Sequence, residues 1–82
     1  MSGERVEVRA KMAGVFYRRP GPDDPNYVEV GDNVEKKQVL GLVETMKVFQ
    51  KVKSPAAGKV IEIIAENETA LLDDDLMFVI ET

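Results

Sequence analysis

The chain has 82 residues, enough for one small domain, and contains neither Cys nor His. Disulfide staples, thiol nucleophiles, the commonest metal ligand and the usual general base are therefore all excluded. Eleven Lys and Arg against fifteen Asp and Glu leave a net charge of −4, the wrong sign for a generic nucleic-acid binder, and no apolar run is long enough to span a membrane.

Residues 1–5 carry no pattern and are expected to be a disordered start, with the domain occupying 6–82. From Val6 the chain alternates, since Glu7 and Arg9 separate Val6, Val8 and Ala10. That is the period of a half-buried strand. Val15–Tyr17, Val39–Val43, Val60–Ile64 and Met77–Ile80 are short apolar runs rich in β-branched and aromatic residues, and Val48, Gln50 and Val52 alternate again. Such composition favours strands. No window sustains helical spacing for three turns, and Gly or Pro interrupts most windows before it could. The pattern predicts an all-β fold of seven or eight short strands.

The chain also repeats itself. Gly14 and Gly58 stand in similar surroundings 44 positions apart, whereas Val39–Glu44 and Leu76–Glu81 match at an offset of 37. The difference of seven places an insertion in the first half, between Tyr17 and Val28, where three of the four prolines fall. Two like units that each expose an apolar face can bury both by packing together. A flattened β-barrel or sandwich of two four-stranded antiparallel sheets follows, related by a pseudo-two-fold. Val8, Val43, Val60, Ile63 and Val79 should share its core.

The first unit hands over to the second at Glu44-Thr45-Met46-Lys47-Val48. Lying between two strands, this segment is expected to be a hairpin tip with Lys47 at its most exposed point. Most such lysines only solubilise a surface. Here Met46 precedes Lys47, and Val48 and Phe49 follow at once. An apolar collar around a lone lysine is also what a modifying enzyme grips, and spacing alone leaves both readings open. The acidic run Asp73-Asp74-Asp75 lacks the spacing and the Gly of a calcium loop and reads as a solvated turn.

At Glu44–Val48 the sequence resembles the biotinyl/lipoyl attachment family, and within it the biotin carboxyl carriers of acetyl-CoA carboxylase. The family motif is Glu-Ala-Met-Lys followed by a hydrophobic residue; Thr45 stands here in place of Ala. Gly31 and Gly58 lie 16 before and 11 after Lys47, where the wider family keeps glycines. Gly14–Arg18 followed by a Pro-rich stretch resembles the start of the thumb, a protrusion that folds towards the biotin in these carriers. The insertion at about 18–26 matches it in place and proline content. Arg19 stands before Pro20 where the family has a Thr, and Lys37 and Asp74 occupy turns where many relatives use Gly.

The resemblance implies a barrel-sandwich carrier with biotin covalently attached to Lys47. It further implies that Glu44, Thr45, Met46 and Val48 shape the attachment hairpin and that Arg19 and Pro20 lie near the biotin. Such a carrier is not itself an enzyme. It would take a carboxyl group from biotin carboxylase to a carboxyltransferase in an acetyl-CoA carboxylase feeding fatty-acid synthesis, after modification by a biotin protein ligase. No metal, nucleic acid or membrane is implied, and the expected location is the cytoplasm or an organelle stroma or matrix. A lipoyl carrier, and an unmodified interaction module of the same fold, are the alternatives.

Overall fold

The computed structural model describes residues 3–82 and contains eight strands: β1 (Arg5–Arg9), β2 (Gly14–Tyr17), β3 (Asn33–Val34), β4 (Val39–Thr45), β5 (Val48–Lys53), β6 (Gly58–Ile63), β7 (Thr69–Leu71) and β8 (Leu76–Glu81). No helix occurs among the described residues. The strands form two four-stranded sheets with the orders β1-β8-β6-β3 and β5-β4-β2-β7, and every pairing is antiparallel. Exchanging β1–β4 with β5–β8 converts the first order into the second. The expected pseudo-two-fold is present.

The symmetry extends to single hydrogen bonds. The Lys37 amide donates to the Ser54 carbonyl and the Ser54 amide to the Gln38 carbonyl, both at 2.8 Å. In the other half, Asp74 donates to Ala10 and Ala10 to Asp75, again at 2.8 Å. Lys37 and Asp74 both sit at φ 74°, the left-handed region that favours glycine. Gly14 and Gly58 are equivalent by close approach. A Cβ on Gly14 would lie 2.6 Å from the Glu44 carbonyl oxygen, and one on Gly58 would collide with that of Glu81. Bare backbone is what lets β2 and β6 cross their neighbours this closely.

The core departs from symmetry in one useful way. Phe16 and Gly41 in the first half correspond by the same offsets to Val60 and Phe78 in the second. Each half thus supplies one ring and one small residue. The rings meet edge to face at 5.7 Å, and a Cβ on Gly41 would lie 2.7 Å from Phe16 Cε1. Val8, Val34, Leu40, Val43, Val60, Leu71, Met77 and Ile80 close the cluster around them, with Ile63 partly buried against it.

Two expectations need correction. Val79 is buried but does not belong to this core. It pairs with Glu7 and Glu62, on the outward side of its sheet, as its counterpart Leu42 pairs with Tyr17 and Lys51. The structured chain also begins earlier than Val6. Arg5 already pairs with Glu81, the Gly3 amide donates to the Thr82 carbonyl at 2.6 Å, and the Thr82 amide donates to Glu4 at 2.9 Å. The backbone ladder with the C-terminus orders these residues without any apolar pattern. Met1 and Ser2, the rest of the expected disordered start, lie outside the described residues.

Candidate functional site

β4 and β5 form a hairpin whose last cross-strand pair is Thr45 with Val48, leaving Met46 and Lys47 as a two-residue turn. Both have positive φ, 49° and 66°. Two-residue turns with this conformation match the right-handed twist of the flanking strands, which is why hairpins favour them. They usually carry Asn-Gly. Met and Lys each cost about 1 kcal/mol there, since Cβ crowds the following carbonyl. Strain of this kind persists where the surroundings impose it, and it collects at functional sites.

The turn is held from below. Glu44 pairs with Phe49 on β5 and with Val15 on β2. From β2 the Tyr17 hydroxyl donates to Glu44 Oε1 at 3.1 Å, and its ring lies 5.8 Å from that of Phe49. The bond to Glu44, then burial and the charge of Glu44, raise the Tyr17 pKa above its ordinary value. Above this clamp the apolar side chains stand in water: Met46 is 93 % exposed, Val48 53 % and Phe49 54 %. Lys47 is exposed at the tip, and among the described residues no carboxylate pairs with it.

The Pro-rich insertion leaves β2 directly after Tyr17. Its neck closes where the Tyr27 amide donates to the Arg18 carbonyl at 2.8 Å. The Arg18 amide donates to Asn67 Oδ1 at 2.8 Å, while its guanidinium reaches the Val28 carbonyl at 3.1 Å and Glu29 Oε1 at 3.0 Å. Asn26 Nδ2 donates to Glu29 Oε2 at 2.9 Å. These bonds, from Asn26 first and Arg18 second, hold the Glu29 carboxyl below its ordinary pKa. At the far end the Asp24 amide donates to the Gly21 carbonyl at 3.1 Å, a turn for which Pro22 presets the backbone.

The thumb-like insertion and the hairpin border one cleft of about 150 Å³, lined by Tyr17, Arg19, Pro20, Gly21, Pro22, Phe49, Asn67 and Glu68. Arg19 and Pro20 therefore lie together beside Phe49, whereas Glu44, Thr45, Met46 and Val48 form the hairpin outside the cleft. Tyr17 and Phe49 belong to both the clamp and the cleft. Asn67 and Glu68 come from the opposite half, and their part in the site was not evident from the residues. A larger hollow of about 270 Å³ lies between the edge strands β1 and β5 and touches neither tip nor insertion.

This is a two-fold β sandwich that presents one lysine on a strained hairpin turn, a fold and site suited to carrying a group rather than transforming one. Residues 6–80 match the Biotin_lipoyl family, described as biotin-requiring enzyme, and the chain belongs to that family. It is 42 % identical over 74 residues to a chloroplastic biotin carboxyl carrier protein of acetyl-CoA carboxylase from Arabidopsis thaliana, covering 90 % of this chain and 26 % of that protein. The corresponding carrier of Pseudomonas aeruginosa is 37 % identical over 73 residues, covering 89 % and 47 %. A chloroplastic carrier from Glycine max is 39 % identical over 74 residues, covering 90 % and 28 %. The chain thus spans between about a quarter and a half of these relatives. The crystal structure of Kluyveromyces lactis urea carboxylase superposes with a TM-score of 0.78 at 26 % identity, over 94 % of this chain and 6 % of that one.

Proposed function

We propose that residues 3–82 form a biotin carboxyl carrier domain whose biotin is attached to Lys47. The observation that carries this reading is the placement of Lys47 on a left-handed turn, within Glu44-Thr45-Met46-Lys47-Val48, in a member of a biotin-requiring family. Bound biotin supplies a ureido nitrogen that takes up and gives up a carboxyl group. The chain itself contributes position.

The residues fit such a group. Lys47 has an exposed Nζ with no carboxylate competitor among the described residues. On acylation two of the three Nζ protons pass to solvent, and the freed lone pair forms an amide bond to the activated acyl carbon. The bond from that carbon to its activating group breaks with the leaving group taking the electron pair, and one positive charge disappears. The exposed Met46, Val48 and Phe49 give a biotin protein ligase an apolar surface to grip, while the Tyr17–Glu44 clamp keeps the turn in one shape. The cleft beneath the thumb offers an aromatic floor and polar walls to a small ring on the tether. Tethering raises the local concentration of the carried group at whichever active site the domain visits.

The relatives are named as carriers of acetyl-CoA carboxylase, two of them chloroplastic. This supports a biotin carboxylase and a carboxyltransferase as the partners, with the cytoplasm or an organelle stroma or matrix as the setting. Lipoate is the second reading. Met46 before the lysine and the thumb favour biotin, since lipoyl domains usually place Asp there and lack the insertion. Incubation with biotin and a biotin protein ligase, followed by peptide mapping, tests the proposal. Label on Lys47 is expected, and none after Lys47→Arg.

A further inference from the structure

Glu68 occupies the position that the two-fold assigns to Gly31 in the other half. The Gly31 amide donates to the Val60 carbonyl at 2.7 Å, and the Glu68 amide to the Phe16 carbonyl at 2.6 Å. The two residues stand at φ 99° and φ 63°. Glycine holds this conformation freely, whereas glutamate is strained in it. Among the described residues the Glu68 carboxylate has one partner, Asn67 Nδ2 at 3.4 Å, and no cation pairs with it. A contact of that length is a weak bond.

The side chain is nevertheless well placed for a ligand. Glu68 and Asn67 line the cleft together with Arg19–Pro22 and the rings of Tyr17 and Phe49. The charge of Glu68 contributes, after that of Glu44, to the raised pKa of Tyr17, so the carboxylate acts on the same space. Asn67 Oδ1 is already taken by the Arg18 amide. Its Nδ2 is only loosely engaged and remains free to donate. The site therefore presents an acceptor, Glu68, beside a donor, Asn67 Nδ2, over an apolar floor. A neutral cyclic urea has the complementary set, with N–H groups flanking a carbonyl.

We propose that Glu68 and Asn67 form the polar wall of the thumb cleft, Glu68 accepting a ureido N–H and Asn67 Nδ2 donating to the ureido oxygen of the group carried by Lys47. This rests on the reading that Lys47 is biotinylated. It makes Glu68 a positioning residue for the tethered ring, retained against its own backbone strain. Replacing it with glycine should have opposite effects on docking and on fold stability.

The test is NMR of the biotinylated domain carrying biotin labelled with ¹⁵N in the ureido ring, combined with thermal melting. In the unsubstituted domain, ureido N–H exchange with water should be about tenfold slower than in free biotin amide, the protection that one ordinary hydrogen bond gives. Glu68→Gly and Glu68→Ala should both abolish the protection. Only Glu68→Gly should raise the melting temperature, because alanine keeps the strain. If both variants keep the protection while deletion of residues 19–25 removes it, the thumb holds the ring and Glu68 does not. Unprotected N–H groups in a correctly loaded domain overturn the cleft assignment but leave the carrier reading standing. Failure to load biotin on Lys47 overturns both.

Discussion

The Tyr17 hydroxyl donates to Glu44 Oε1 at 3.1 Å, one rung beneath the pair that closes the turn carrying Lys47. Tyr17 is also the last residue of β2 before the thumb. One side chain therefore ties the root of the insertion to the base of the hairpin. Because the folded state raises the Tyr17 pKa, its contribution to stability is fully present below the ordinary tyrosine range. That contribution is lost as pH rises through the raised value. Glu44→Gln should return the phenol towards its ordinary pKa in a spectrophotometric titration. Tyr17→Phe should remove this alkaline component from the stability profile, and an unchanged profile would show that the bond does not hold the hairpin.

The thumb neck should respond to acid. Glu29 is held below its ordinary pKa by Asn26 and Arg18, so its contribution is present at neutral pH and disappears as pH falls through the lowered value. The protection of the Tyr27 amide, which closes the neck onto Arg18, should fall across that range, measured against its intrinsic exchange rate, while that of Phe16 is kept. Glu29→Gln should flatten the dependence.

Gly14 and Gly58 should be equally intolerant of a side chain. A Cβ on either meets the backbone carbonyl of the equivalent glutamate, Glu44 or Glu81, and backbone gives way less readily than a flexible side chain. Each Gly→Ala substitution should cost about 1–3 kcal/mol by overpacking. Chemical denaturation of the two variants should give losses of similar size, as the two-fold requires.

At the tip, stability and modification should separate. Lys47→Gly relieves a left-handed backbone at φ 66° and should stabilise the domain by about 0.5–1 kcal/mol. It removes the acceptor at the same time. Lys47→Arg keeps both strain and charge, so it should melt like the unsubstituted chain while also taking no label.

The fold was legible because the two offsets, 44 and 37, carry the whole topology once Gly14 is set against Gly58 and Glu44 against Glu81. The same offset pairs Lys37 with Asp74, which occupy turns where many relatives use Gly, and both have left-handed backbone. Val79 was misassigned because Leu76–Glu81 is apolar almost throughout, and a strand covered on both faces leaves no alternation to read. The hairpin tip was legible from its flanks, but the positive φ of Met46 and Lys47 was not. Neither residue advertises that conformation; the twist of β4 and β5 imposes it. The cleft was half legible. The family resemblance pointed to Arg19 and Pro20, whereas the Arg18–Asn67 bond joins residues 49 apart, and nothing local in the sequence announces such a contact.

Intact-mass measurement with peptide mapping, after incubation with biotin protein ligase, ATP and biotin, shows whether Lys47 is the acceptor. A single biotin is expected on the peptide containing Glu44–Val48, on Lys47, with Lys36, Lys37, Lys51 and Lys53 unlabelled and no addition to the Lys47→Arg chain. A mass that stays unchanged, a label that survives Lys47→Arg, or lipoate accepted in place of biotin would contradict it.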